Sequence, residues 1–391
     1  MHAKELPEIP ATMLAARLHA INEMLCVDRI PVPTPGPHDV LVKVTACGVV
    51  PNMRRVIGNF FGTQTPDSKL FPKLPAIFGL DPVGIVAQVG QYVTGVQTGE
   101  RVYVNPGRSC GSCKMCRAGR MLDCPTFTFQ GYFGRSREIM SEYPYGGFSQ
   151  YITAPAGALV KLPDGMKDEE AGRLGYLGTA YGAMNRIDVG PSDVLLINGI
   201  SGMLGLSAAL MALAMGVRKI LGTGRNIELL ERVRAIAPER IFVHAMQDSP
   251  AAQLDQADPL AAWTREMTDG WGVDAMIDCL PPGAPASTLL RAIHTLRRGG
   301  RAVNVGAVTE SLSLNAFWLC ANRITLAGSV WFTTAEGEDM ASMAGSGLLD
   351  LSALDHRLAP LAGINDILEK VMPANRDGGF ANYVIRPESG D

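Results

Sequence analysis

The sequence lacks a basic tract, a block of like charges, a low-complexity segment and an internal repeat. Its net charge is −3. It therefore offers no cluster of cations to a nucleic acid or an anionic membrane surface, and neither is expected as a partner. It also lacks a long apolar run. The longest, Gly202–Val217, begins in a glycine loop and falls short of the ~20 residues that cross a bilayer. The opening segment, MHAKELPEIPATM, has no apolar core of the kind a secretory signal needs, and a cytoplasmic protein is expected. Cysteine is not scarce. Of the eight, Cys110, Cys113, Cys116 and Cys124 crowd into one segment. Without an export signal, such crowding points to a metal rather than to disulfides.

The chain is long enough for two domains, each with its own core. The stretch that organises it runs from Val194 to Asn226. Val194–Ile197 is short and wholly apolar, as a strand buried on both faces must be. Gly199, Ser201, Gly202 and Gly205 interrupt it, and small apolar residues then continue at helical length to Met215. Lys219–Thr223 is a second strand. A strand, a glycine loop, a helix and a strand form the unit that opens a dinucleotide site. The glycines let the backbone approach a pyrophosphate, and the N–H groups at the helix start meet its charge. The spacing is G-x-x-G-x-x-G rather than the commoner G-x-G-x-x-G, and a tight turn without a ligand is the plain alternative. Thr179–Ile187 reads as a helix leading into this unit. Strand candidates follow at Arg240–Val243, Val273–Asp278, Arg301–Val305 and Ile324–Ser329, with helical stretches between them. Together they predict a doubly wound parallel sheet of Rossmann type over residues 166–330.

Residues 1–165 are rich in proline and glycine, with short strand-like runs at Val40–Ala46, Gly84–Val89, Arg101–Val104 and Ser149–Thr153. This pattern predicts an irregular β-barrel-like domain. Inside it, C-x2-C-x2-C with Cys124 seven residues on can close a thiolate cage on one ion. Four protein ligands leave no open position, so a zinc held there is structural. An iron–sulfur cluster is the rival reading. Residues 331–391 turn mixed again and end in a strand-like run, Ala381–Ile385.

Cofactor choice is set at the end of the second strand. An acid there would hold the adenine ribose hydroxyls of NAD. Gly222–Asn226 contains no acid, and Glu228 already belongs to the next helix. Arg225 offers a fork of donors suited to a 2′-phosphate, and Thr223 and Asn226 are neutral donors beside it. NADPH is expected, with NADH possible. The cofactor-binding candidates are Gly199, Ser201, Gly202, Gly205, Thr223, Arg225, Asn226 and Gly306. Arg225 as a solvated loop arginine stacking on adenine is the alternative.

Several motifs resemble the medium-chain dehydrogenase/reductase superfamily, specifically its zinc-containing alcohol dehydrogenases. They are Cys47-Gly48-Val49, Gly79-Leu80-Asp81, the four-cysteine lobe, Gly147–Tyr151, the glycine loop and Leu296–Arg301. The resemblance implies a GroES-like barrel completed by the C-terminal tail, an active site in the cleft between domains, and a dimer or tetramer joined near Ile324–Trp331. Members with a catalytic zinc usually carry a cysteine, a Gly-His-Glu and a later cysteine or aspartate. Here Cys47 is followed by Leu80 and Asp81, and the third position falls near Gly175–Gly178, which holds Tyr176. Asn52 stands where the family's serine or threonine passes on the substrate proton. None of the six histidines lies in these motifs. A family fold is thus implied that keeps one structural zinc and lacks the catalytic one.

Tyr176, Asn52, Asp81 and Cys47 remain as catalytic candidates. Tyr176 would donate to a developing oxyanion or carbanion, or merely fill the vacated space. Cys47 reads equally as a small buried hydrophobe. Hydride transfer itself is positioning. Hydride addition to a conjugated carbonyl spreads charge as an enolate and tolerates weak donors, whereas simple carbonyl reduction needs a strong one. The expected activity is an NADP(H)-dependent oxidoreductase acting on a small carbonyl, alcohol or activated C=C compound. The alternative is a cofactor-holding protein of the same fold with a structural or sensing role. Phe60, Phe61, Phe127, Phe129, Tyr132, Phe133, Tyr143, Tyr145 and Trp331 are candidates to line a cleft for a bulky or aromatic substrate.

Overall fold

The computed structural model describes residues 8–59, 70–246, 258–371 and 377–388. Two sheets open the chain. In the first, β1 (Thr12–Leu18) pairs antiparallel with β2 (Cys26–Pro31) and with β4 (Ala76–Ile77). The second is built on β3 (Asp39–Gly48). This strand alternates between faces, and its antiparallel partners are β5 (Asp81–Val89) and β9 (Tyr151–Pro155). Beyond β5 lie β6 (Arg101–Val104) and β10 (Leu159–Lys161). Two short strands, β7 (Gly107–Arg108) and β8 (Thr128–Phe129), pair on either side of the cysteine lobe in sequence.

The parallel sheet follows. Its strands are β11 (Val194–Asn198), β12 (Lys219–Gly224), β13 (Ile241–Ala245), β14 (Val273–Asp278), β15 (Leu296–Asn304) and β16 (Thr325–Gly328). They lie in the order β13-β12-β11-β14-β15-β16, all parallel, which is the doubly wound arrangement. Leu195, Leu196 and Ile197 are fully buried. Leu195 and Ile197 pack into the larger core, and Leu196 packs into a second cluster with Leu221 and Met276. This is the two-faced burial expected of the run. The tail adds β17 (Asp355–Pro360) parallel to β18 (Ala381–Arg386). β18 then pairs antiparallel with β3, Val384 opposite Gly48 and Ile385 opposite Cys47.

Most predicted ranges shift by one to three residues, and two elements differ by more. β15 begins at Leu296 rather than Arg301, and its register shifts against β14 between Val273 and Ala275. The helix ahead of β11 spans Leu174–Arg186 and so begins before Thr179. Its glycines masked the start. A Cβ on Gly178 would fall 2.3 Å from the Phe332 ring, and one on Gly182 would fall 2.8 Å from the Trp331 carbonyl. Both are glycine because other groups press on the helix there. Among the described residues no helix is long and apolar enough to cross a membrane.

Candidate active site

A cleft of about 1240 Å³ runs from the ends of the parallel strands to the barrel. The glycine loop forms one wall. Gly199 takes φ +88°, and its N–H and that of Ile200 donate to the Thr223 carbonyl, at 3.1 and 2.8 Å. A Cβ on Gly205 would fall 2.1 Å from the Gly199 carbonyl oxygen, so the helix Met203–Ala214 sits against the loop only with glycine there. Gly199, Ser201, Gly202, Thr223, Arg225, Asn226 and Gly306 line the cleft, and Gly205 lies behind the loop. Arg225 is exposed. Thr223 is buried, and its hydroxyl donates to Asn198 Oδ1 at 2.7 Å, so its proton is not free for a ligand. The Asn226 carbonyl oxygen caps the next helix by accepting from the Leu229 N–H at 3.1 Å, which leaves its amide nitrogen.

Beneath the loop, Thr223, Asn198 and Asp278 link the ends of β12, β11 and β14. The amide of Asn198 donates to Asp278 Oδ1 at 2.7 Å. Burial raises the Asp278 carboxyl to about 6, against the pull of the Asn198 amide and the Leu280 N–H.

The opposite wall carries Asn52, Asp81 and Tyr176. Asn52 caps the short helix Met53–Ile57, and the Tyr132 hydroxyl donates to its Oδ1 at 2.6 Å. That bond turns the amide nitrogen of Asn52 into the side chain's remaining donor group. Asp81 begins β5 and is buried, with Tyr103 donating to its Oδ1 at 2.8 Å. Burial raises its carboxyl to about 7, against the pull of Tyr103 and of the nearby Arg173. A Cβ on Gly175 would fall 2.0 Å from that oxygen, so the carboxylate occupies the space a side chain would take. Tyr176, half-buried in the first turn of the helix Leu174–Arg186, has its phenol pushed up by burial.

Cys47 stands apart from the other three candidates and matches its reading as a small buried hydrophobe. It is fully buried, does not line the cleft, and its sulfur lies where a Cβ on Gly147 would come within 2.6 Å. Burial holds its thiol well above the ordinary value. In this structure it is a core residue.

The aromatic candidates divide. Phe129, Tyr132, Phe133 and Trp331 line the cleft. Phe127 stands behind Phe129, edge-on at 5.0 Å. Tyr143 donates to Asp39 at 2.9 Å, and it and Tyr145 lie outside the cleft lining. Phe60 and Phe61 lie outside the described residues. Sequence reading missed Arg173, a charged residue 2 % exposed at the start of the Tyr176 helix.

The four lobe cysteines converge, their sulfurs all within 4.8 Å of one another. Cys113–Cys124 and Cys124–Cys110 are 3.9 and 3.7 Å apart. A tetrahedral zinc with ~2.3 Å bonds sets its sulfurs ~3.8 Å apart, so the quartet fits one closed ion. Backbone N–H groups of Ser112 and Cys113 pull the Cys110 thiol down to about 6, toward the thiolate a metal needs.

A glycine-loop parallel sheet, a barrel and a cleft between them define a nicotinamide-dinucleotide oxidoreductase. Residues 36–164 match the alcohol dehydrogenase GroES-like domain, and residues 204–346 match the zinc-binding dehydrogenase family. An alcohol dehydrogenase of Moraxella sp. (strain TAE123) is 28 % identical over 369 residues, covering 94 % of this chain and 98 % of the relative. The crystal structure of AibC superposes with a TM-score of 0.80 at 26 % identity, over 100 % of this chain and 99 % of that one. A putative zinc-binding dehydrogenase from Sinorhizobium meliloti 1021, bound to NADP, has the same fold. Its TM-score is 0.77 at 21 % identity, over 97 % of this chain and 100 % of that one. The chain belongs to the medium-chain dehydrogenase/reductase superfamily, among its zinc-containing alcohol dehydrogenases.

Two outcomes follow from this geometry. The Asp81 carboxyl holds its proton more tightly folded than unfolded, where it titrates at 3.8. The stability it contributes is therefore full below that value and is lost as pH rises to about 7. Asp81→Asn cannot ionise. Its melting temperature relative to the unsubstituted protein should rise by a few degrees between about pH 5 and about pH 8. A difference constant across that window would refute the shift.

Elemental analysis should find zinc on the lobe, and Cys113→Ser should lose it and melt earlier, because a ligand bond would go. Full zinc retention by that variant would count against the quartet.

Proposed function

We propose that this protein is an NADPH-preferring reductase that passes a hydride to a conjugated carbonyl compound with an apolar or aromatic body, without a catalytic metal. The observation that carries the reading is the pairing of two walls across one cleft. The glycine loop with exposed Arg225 lies on one side, and Tyr176 with Asn52 lies on the other. The residues at the family's catalytic-metal positions do not suit an ion. Leu80 has no ligand atom, the Cys47 sulfur is sealed in the core, and Tyr176 replaces the third ligand. Zinc chemistry needs about three protein ligands and an open position.

The bound cofactor would supply the hydride. The chain's part is to hold the substrate's electrophilic carbon near it and to donate to the charge that appears. Tyr176 and the Asn52 amide are the donors on that wall. Tyr132 keeps Asn52 turned by occupying its oxygen. Phe129, Phe133 and Trp331 exclude water and favour an apolar substrate. The 2′-phosphate would meet Arg225, with the Asn226 amide beside it. Simple ketones and aldehydes are the slower class, because full charge on one oxygen asks more of a phenol than an enolate does.

Homodimers are part of the proposal. β16 is the open edge of the parallel sheet, and Phe317, Leu326 and Val330 beside it are exposed. Light scattering at micromolar concentration should give at least a dimer mass, and a monomer mass would remove this part. The clustered thiols suit a cytoplasmic setting.

The functional test is NADPH and NADH oxidation against a panel of enals, enones, aldehydes and ketones. Enones or enals should turn over fastest, and Tyr176→Phe should slow them by about 10²-fold or more. Arg225→Ala should weaken NADPH at least ~10-fold more than NADH, since only the former loses a charge-assisted contact. No turnover of any panel member, or equal losses for the two cofactors, would overturn the corresponding part.

A further inference from the structure

Behind the cleft wall lies a charge the reading above does not use. Arg173 caps the helix that carries Tyr176 and is 2 % exposed. Its Nε donates to Ser207 Oγ at 3.2 Å. Its Nη2 donates to the carbonyls of Met203 and Gly379, at 3.2 and 2.5 Å. Nη1 is buried and has no hydrogen-bond partner among the described residues. All three acceptors are neutral, and Arg173 enters no ion pair among the described residues. A buried guanidinium without a bonded counter-ion is costly, and Asp81 is the nearby carboxyl that offsets part of that cost. Burial brings it down only to about 10, so it stays charged at neutral pH. Its central carbon lies 5.7 Å from the centroid of the Tyr176 ring.

We propose that Arg173 is a positioning residue whose fixed charge stabilises the Tyr176 phenolate, doing part of the electrostatic work of an absent metal ion. The proposal rests on the reading of Tyr176 as proton donor. In the step concerned, bound NADPH would supply the hydride to the electrophilic carbon and leave as the oxidised cofactor. The electron pair released from the double bond takes the proton of the Tyr176 hydroxyl. The phenolate left behind faces Arg173 until a solvent proton restores it. NADPH is the only reductant.

The other groups that face Tyr176 are Asp81 from β5 and Tyr132 from the loop after β8. Tyr103 on β6 and Cys47 on β3 face Asp81 in turn. Asp81 thus opposes Arg173, and the two can be varied separately.

The test replaces Tyr176 with 3-nitrotyrosine, whose phenol titrates near neutrality and absorbs visible light as the phenolate. Its titration is followed in the full-length, zinc-loaded protein. Arg173→Met should move the midpoint up by about one pH unit or more, and Arg173→Lys should restore most of the shift. Asp81→Asn should move it down, and Arg173→Gln serves if Arg173→Met does not fold. A midpoint unmoved by a folded, uncharged variant at Arg173 overturns the proposal alone. Tyr176→Phe with unchanged enone turnover overturns the donor reading and this proposal with it. A purely structural latch would lower the melting temperature in Arg173→Met without moving the midpoint.

Discussion

The pairing of β18 with β3 is the constraint on which the site depends. It joins the end of the chain to a strand near its beginning, Val384 opposite Gly48. β3 is already held by β5 and β9. Its end leads to Asn52, and β5 starts at Asp81, so the same junction fixes two groups of the cleft's barrel wall. The tail reaches the other wall as well. The Gly379 N–H donates to the Ser201 carbonyl at 2.8 Å, and the Gly379 carbonyl accepts from Arg173. One late segment therefore touches the glycine loop, the Tyr176 helix and the barrel. Contacts so distant in sequence carry a large loop-closure cost, which the packing of this junction must offset.

Burial of polar groups is the recurring device around that cleft. Thr223, Asn198 and Asp278 bond across three strand ends, and Tyr103 and Asp81 do the same inside the barrel. Each fixes backbone geometry beneath a lining residue, because a buried donor or acceptor tolerates few alternative positions. Among the described residues, Arg173 Nη1 and Arg108 Nε are buried nitrogens without a hydrogen-bond partner, and the first stands beside the cleft wall.

Local signals were legible in the sequence. β11, its glycine loop and β12 announce themselves by apolar runs and glycine spacing, and the cysteine lobe by proximity in the chain. What was hidden depended on distance. Tyr132 lies 80 residues from the Asn52 it orients. Arg173 looks like a surface arginine until the tail and the Met203 loop close over it. The helix beginning at Leu174 was shortened because its glycines argue against helix, yet they answer to Phe332 and Trp331 far along the chain. Cys47 matched a family position and allowed two readings, and the surrounding core, which packs its sulfur beside Gly147, agrees with the buried one.

Trp331 has a consequence for how this cleft can change over evolutionary time. Its backbone is left-handed, φ +64°, a conformation costly for a bulky residue. Its indole N–H donates to Asn105 at 2.8 Å, and its ring meets Phe129 edge-on at 5.0 Å. Smaller side chains would inherit the strain and forfeit those contacts, whereas glycine would relieve the strain but open the wall. A change of substrate preference is therefore borne less readily at this position than at Phe133, whose backbone is not left-handed. The aromatic wall thus has a fixed post in Trp331 and a freer one in Phe133.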